Sequence, residues 1–270
     1  MNLKGKVVLI TGSTGGIGST CAELFYNEKA TVILHYNTNK EKVSELHKLM
    51  PDHSLPYQAD LTNSNKVKLM FNYIYDKYSK IDVLVANAGV YPVNSEPIYK
   101  ISNKRLNHII NNNINSVFYC AREFLRILVK SKSNYPTIII VGSTAAKFGA
   151  ENKSDYALSK AAVTFGLTRT LKNEIVRIVP NGRVNAVCPG WTKTPMAKHG
   201  ENSDNIKRFI QTRSLKHIAN PIDIANIILF LSSEKYSKHI TGEIITVAGG
   251  MEGRLLHNAN DIDPKSVLSV

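Results

Sequence analysis

The feature that most constrains this chain is the junction at residues 6–26. An apolar run, Lys6-Val-Val-Leu-Ile10, passes straight into the glycine-rich turn Thr11-Gly-Ser-Thr-Gly-Gly-Ile-Gly18, and a helical pattern follows. Glycines let the backbone turn tightly and approach a bound group closely. A helix that begins in such a turn aims free N–H groups and its positive dipole end at that group. Strand, turn and helix in this order form the setting that a dinucleotide pyrophosphate requires.

The rest of the chain repeats the alternation. Candidate strands are Lys6–Ile10, Thr31–His35, Ser54–Gln58, Ile81–Ala86, Thr137–Val141, Arg183–Val187 and Glu243–Val247. Amphipathic segments lie between them. One starts at Gly16, with Ile17, Cys21, Leu24 and Phe25 on a stripe; another starts near Asn103, with Leu106, Ile110, Ile114, Phe118 and Leu125; a third covers 155–179. Alternating strands and helices predict a seven-stranded parallel sheet with helices on both faces. Strands without polar alternation agree, since both of their faces are buried.

A length of 270 residues, 43% hydrophobic and 20% charged, fits one α/β domain over residues 1–250. Trp191–Lys216 is polar and basic and reads as a mobile lid with short helices. Residues 251–270 form a C-terminal tail, either disordered or docked on a neighbouring subunit. No apolar stretch is long enough to span a membrane, and the N-terminal apolar run is too short for a secretory signal. A cytoplasmic protein is expected. Cys21, Cys120 and Cys188 lie far apart in apolar contexts and read as buried, reduced thiols. No His or Cys spacing suggests a metal.

The net charge is +13, yet no basic run exceeds two residues. That pattern argues against nucleic acid and favours small anionic partners, such as phosphorylated cofactors, or an acidic carrier protein.

Tyr156-Ala-Leu-Ser-Lys160 places a phenol and an ammonium on one helix face, with Ser143 thirteen residues upstream at the end of the run Ile138-Ile-Ile-Val141. An ordinary tyrosine has a pKa of about 10. A neighbouring cation lowers it and yields an acid or base useful near neutral pH. The end of the second strand bears on cofactor choice. A carboxylate there would bind the adenine ribose diol of NAD. This chain has His35-Tyr-Asn-Thr-Asn-Lys40, with no acid before Glu41. NADP(H) is therefore favoured, with NAD(H) the alternative.

These landmarks together resemble the short-chain dehydrogenase/reductase family over about residues 4–250. The resemblance implies a single doubly wound Rossmann domain. It rests on Thr11–Gly18, Asp60-Leu61, Asn87-Ala-Gly89, Asn113, Ser143, Tyr156, Lys160, Pro189-Gly190 with Thr192 and Thr194, Thr241-Gly242 and Gly249-Gly250. It implies a catalytic set of Asn113, Ser143, Tyr156 and Lys160. Tyr156 would protonate the new alkoxide and Ser143 would hold the same oxygen. Lys160 would bind the nicotinamide ribose and lower the Tyr156 pKa, and Asn113 would hold a water of a proton relay. The implied cofactor contacts are Gly12, Ser13, Thr14, Gly16, Ile17, Gly18, Tyr36, Asn37, Thr38, Asp60, Leu61, Asn87, Ala88, Gly89, Tyr156, Lys160, Pro189, Gly190, Thr192 and Thr194.

The chain departs from the family pattern in three places. Ala161–Leu171 is one residue longer than usual, which a helix bulge would absorb. Ala248 stands where Asp is common, and Ile178–Asn181 is inserted. Tyr91, Pro92, Ala145, Phe148, Trp191 and Met196 are candidates to line the substrate pocket. The pattern is close to β-ketoacyl-acyl-carrier-protein reductases, so the expected substrate is a ketone or secondary alcohol, carried on acyl carrier protein or coenzyme A. Arg177 and Lys130/Lys132 would then face the carrier. Alternatives are a steroid, sugar or pteridine-like carbonyl, or a non-catalytic NADP-binding regulator. The His35-Tyr36-Asn37 segment is similar to pteridine reductases, but those carry Arg where Gly15-Gly16 stands here. The family also implies a homotetramer or dimer, with helices 103–132 and 155–179 packed across a two-fold axis.

Overall fold

The structure is a computed structural model that describes residues 1–131, 133–200, 203–253 and 255–269, the side chains of 198–200 excepted. Seven parallel strands form one sheet in the order β3-β2-β1-β4-β5-β6-β7. They are β1 (Val7–Ile10), β2 (Thr31–Tyr36), β3 (Ser54–Gln58), β4 (Val83–Ala86), β5 (Thr137–Val141), β6 (Arg183–Pro189) and β7 (Ile244–Val247). All seven expected strands form, with small shifts at their ends. Ile81 and Asp82 stay outside β4, because Asp82 turns its carboxylate back to accept the Val7 N–H at 2.8 Å. Glu243 precedes β7, and its N–H donates to the Asn185 side chain.

Helices cover both faces. They are α1 (Gly16–Asn27), α2 (Lys40–Leu49), α3 (Ser64–Tyr78), α4 (Asn103–Ile110), α5 (Ser116–Leu128), α6 (Thr144–Phe148), α7 (Ser154–Ala161), α8 (Thr168–Ile175), α9 (Ser203–Ile210), α10 (Pro221–Ser232), α11 (Glu234–Ser237) and α12 (Pro264–Ser269). The alternation of side chains along each strand splits the core in two. Leu9, Leu84, Ile138 and Ile140 pack under α3, α5 and α8. Val8, Ile10, Val83, Val85 and Ile139 pack under α1, α2 and α10. Each fully buried aliphatic side chain contributes about 1.5–3 kcal/mol.

Two helices carry π-turns. Asn111–Asn115 separates α4 from α5, and Ala162–Leu167 separates α7 from α8. The second is the bulge expected for the extra residue. The first changes the phase of its helix, which corrects the expected stripe. Ile109, Val117, Cys120, Phe124 and Ile127 are buried, whereas Phe118 faces outward. Phe118 and Leu125 instead line a shallow apolar groove of about 280 Å³ between α5 and α8.

The tail is also corrected. Its described residues pack on their own chain, where Ile262 and Val267 bury against Ile206, Ile210 and Ile218. Lys193 Nζ donates to the Leu268 carbonyl at 3.0 Å. Segment 191–216 contains short helices, a 3₁₀ turn at Pro195–Gly200 and α9. Among the described residues no helix is long and apolar enough to cross a membrane. The three cysteines are buried and unpaired. Among the described residues no cluster of potential metal ligands forms.

Candidate active site

Strand order reverses between β1 and β4, and the crevice beyond their carboxyl ends is the usual ligand position in such a sheet. The glycine turn forms its floor. Gly12 has φ +66°, and an added methyl would lie 3.0 Å from Ala88 Cα. At Gly18 the same methyl would lie 2.3 Å from the Gly12 carbonyl oxygen. At Gly16 it would lie 2.7 Å from Thr194, so the lid begins against the turn. No side chain caps α1. Its first-turn N–H groups, beyond the reach of intrahelical acceptors, remain for an anion. The turn thus fits a dinucleotide pyrophosphate.

Neighbouring side chains lock this turn through its backbone. Thr11 Oγ1 accepts from the N–H groups of Asn87 and Ala88 at 2.9 and 3.0 Å. Asn87 Nδ2 donates to the carbonyls of Thr11 and Gly12. The Ser13 hydroxyl donates to the His35 carbonyl at 3.1 Å. His35 is a contributor that the motif reading left out. Its Nδ1 accepts the Gly12 N–H at 3.0 Å, and its Nε2 donates to the Ala59 carbonyl at 3.0 Å. Burial lowers its pKa to about 4, so the ring is the neutral tautomer that this geometry needs. The available signal was a lone polar residue ending an apolar strand.

Other cofactor candidates ring the crevice. Tyr36 ends β2, and exposed Asn37 and Thr38 follow. The Asn37 carbonyl accepts from Gln58, and the Thr38 carbonyl from the Lys40 N–H. Asp60 Oδ1 accepts from the Thr62 hydroxyl and N–H, which holds its carboxyl below the usual range. Leu61 buries its side chain in the core, leaving only backbone for a ligand. Thr14 stays in the turn, and Ile17 packs against the core beneath α1. Pro189 ends β6, the Gly190 N–H donates to Val247, and Thr192 Oγ1 donates to the Gly190 carbonyl.

The four expected catalytic residues sit beyond this turn. Gly89 lies over two of them: a methyl there would lie 3.0 Å from Asn113 Oδ1 and 3.4 Å from Lys160 Nζ. Asn113 is wholly buried in the first π-turn. Its amide accepts the Val90 N–H at 2.8 Å and donates to the Val90 carbonyl and to Ser159 Oγ. Its side chain therefore anchors the segment after β4. Lys160 Nζ donates to the Val141 carbonyl at 2.9 Å, and burial lowers its pKa to about 8. Ser143 Oγ caps α6 by accepting the Ala145 N–H at 3.1 Å.

Tyr156 differs from expectation. Burial pushes its pKa up to about 12, against the lowering effect of the Ser143 hydrogen bond. The removal of water outweighs the attraction of any nearby cation, and Lys160 spends its charge on the Val141 carbonyl. The phenol is therefore protonated at neutral pH.

Of the pocket candidates, Tyr91 stands directly at Tyr156. The rings meet edge to face, with centroids 4.9 Å apart at 81°. Pro92 is buried beside it, and Ala145 and Phe148 lie on α6. Trp191 meets Phe209 of the lid at 4.6 Å. Met196 is exposed on the lid. Arg177 and Lys130 are exposed beyond α8 and α5, and Lys132 lies outside the described residues.

Comparison with known proteins follows the same lines. A family model described as Enoyl-(Acyl carrier protein) reductase matches residues 12–252. The 3-oxoacyl-[acyl-carrier-protein] reductase FabG of Thermotoga maritima is 33% identical over 255 residues, covering 93% of this chain and 99% of that protein. The crystal structure of a short-chain dehydrogenase/reductase (glucose/ribitol dehydrogenase) from Brucella melitensis superposes with TM-score 0.83 at 28% identity, over 93% of this chain and 98% of that one. A 7α-hydroxysteroid dehydrogenase complexed with NADH and 7-oxo glycochenodeoxycholic acid gives 0.84 at 26%, over 94% and 96%. The chain belongs to the short-chain dehydrogenase/reductase family and is an NAD(P)-dependent oxidoreductase acting between CH–OH and C=O.

Proposed function

We propose that this protein reduces the keto group of a 3-oxoacyl thioester, with NADPH as the preferred cofactor. The observation that supports this reading is the buried Tyr156 next to Ser143, where exclusion of water keeps the phenol in its protonated form. Such a phenol is set to give a proton to an alkoxide as it forms. Bound nicotinamide supplies the hydride at the adjoining carbon. Ser143 Oγ accepts from Ala145, which leaves its own O–H free to donate to a substrate oxygen. Lys160, beside the space over Gly89, holds the ribose and the proton path behind Tyr156. Asn113 keeps the Val90 backbone in place at the rim of that space, and serves the relay by fixing its walls.

NADPH is favoured because the end of β2 presents Tyr36, Asn37 and Thr38 in place of a carboxylate. The thioester reading is supported by the relative named as a 3-oxoacyl reductase and by the net charge of +13, which suits an acidic carrier. Arg177 and Lys130 are the exposed cations assigned to that contact. The groove between α5 and α8 supports a homodimer or homotetramer, since apolar Phe118 and Val129 stand exposed there. Three buried thiols suit a cytoplasmic location.

A second reading, a hydroxysteroid dehydrogenase, is favoured by the aromatic wall at Tyr91 and by the neighbour that holds a 7-oxo bile acid. NADPH and NADH oxidation with acetoacetyl thioesters and with keto-steroids separates the two. Turnover of the thioester with NADPH is expected, and its absence with turnover of the steroid would reverse the assignment. Tyr156→Phe should lower kcat by about 1,000-fold without unfolding the protein, as measured by steady-state assay beside circular dichroism.

A further inference from the structure

Beside the site lies a group of charges, with Lys153 and Asp155 buried at its centre, that the reaction chemistry does not use. Arg105 of α4 grips Asp155 with two nitrogens, Nε to Oδ2 at 2.8 Å and Nη2 to Oδ1 at 3.0 Å. Its third nitrogen reaches Glu96 at 2.9 Å. The Glu96 N–H in turn donates to the Asn152 carbonyl. Lys153, also buried, donates to the Pro92 carbonyl at 2.7 Å and stands 4.3 Å over the Tyr91 ring. Loop 90–97 and the start of α7 are thus tied at three points, and the tied loop presents Tyr91 to Tyr156.

Stability alone does not account for Lys153. It is the N-cap of α7, where Ser, Asp or Asn would cap better, and its side chain makes no capping bond. A cation there opposes the helix dipole, and burial beside Arg105 lowers its pKa. What it gains is the Pro92 carbonyl, the face of Tyr91 and the charge of Asp155. Every gain but the last lies on the loop that touches Tyr156.

We propose that Lys153 is a positioning residue for Tyr156, acting through the Tyr91–Pro92 turn, with the Arg105–Asp155 pair holding the helix start from which both project. The proposal rests on Tyr156 being the proton donor. With the turn pinned, Tyr91 covers the phenol and keeps water from it. Released, the turn admits water, and the phenol ionises at lower pH. The groups that bear on Tyr156 are Tyr91 from loop 90–97, Ser143 after β5 and Cys188 of β6, while Lys160 stands one turn along the same helix.

The test compares Lys153→Met, Lys153→Arg, Tyr91→Ala and the Lys153→Met/Tyr91→Ala double variant. Two readouts are taken: ketone-reduction kinetics, and titration of the ¹³Cζ-tyrosine signal assigned to Tyr156 by Tyr156→Phe. Lys153→Met is expected to lower kcat about tenfold and raise the ketone KM, with the NADPH Kd unchanged within about twofold. Its Tyr156 signal should titrate at least about one pH unit lower. Lys153→Arg should restore most of both. Tyr91→Ala, altering a half-exposed ring, should reproduce both changes, and the double variant should add nothing further. Unchanged kcat and titration in Lys153→Met would overturn the proposal, as would independent, multiplying effects in the double variant. Should Lys153→Met not fold, Tyr91→Ala decides, and an unshifted Tyr156 signal there would overturn it. Should the wild type reduce no ketone, the proposed reaction fails, while the Tyr156 titration still decides whether Lys153 acts through Tyr91.

Discussion

The two walls of the crevice are built differently. The glycine turn is held through its backbone: Thr11, Asn87 and His35 all bond to main-chain N–H or C=O groups of the turn or of the strand end beside it. The opposite wall, around Tyr91 and Tyr156, is tied together by charged side chains whose partners lie as far as 61 residues away along the chain. A backbone-held turn has no slack, since its contacts are carbonyl oxygens that cannot swing aside. A charge-held wall has redundancy, since Arg105 keeps Glu96 if it loses Asp155.

The contrast is testable, beginning with the largest effect. Gly18→Ala puts a methyl against a carbonyl and should cost about 3 kcal/mol of stability, read by denaturant unfolding. It should also weaken NADPH binding about 100-fold, read by calorimetry. Asp155→Ala should cost somewhat less, about 2.5 kcal/mol, because Glu96 still pairs Arg105. The same calorimetry should find its NADPH affinity unchanged; a matching loss would erase the distinction between the walls.

His35 sharpens the comparison through pH. Its pKa in the folded protein is about 4, against an ordinary 6.5. Between those values the unfolded chain binds a proton that the folded one refuses. Stability is therefore fully present above about pH 6.5 and is lost as pH falls towards 4, by about 2 kcal/mol at pH 5. His35→Asn, which keeps an acceptor for Gly12 without a titrating ring, should flatten that part of the stability–pH curve. The smallest effect concerns the crevice's outer corner. Asn37→Asp places a carboxylate at the end of β2 and should shift preference towards NADH about tenfold, seen in the ratio of the two kcat/KM values.

The legible parts share one property. The glycine turn, the parallel doubly wound sheet and the Tyr156/Lys160 pair on one helix all depend on residue types at short spacing, where the backbone leaves few choices. Even the extra residue in 161–171 was readable, as the π-turn at Ala162–Leu167. The outward turn of Phe118 was not, because a helix with apolar residues on two faces does not say which one meets the sheet. The tail was misread for a related reason. Its few apolar positions are too sparse for periodicity, and their partners lie on the lid, some 50 residues away.

The amino-acid sequence by itself determined the glycine-rich turn and the parallel α/β architecture, and it named Asn113, Ser143, Tyr156 and Lys160 as the candidate site. It could do so because glycine geometry, strand burial and helix spacing act locally. Only the tertiary structure decided that Tyr156 is a buried, protonated phenol, that His35 is a neutral clamp, and that Lys153 and Arg105 fasten the wall. Those properties depend on how much water is excluded and on which distant charges meet, and neither is set until the chain has packed.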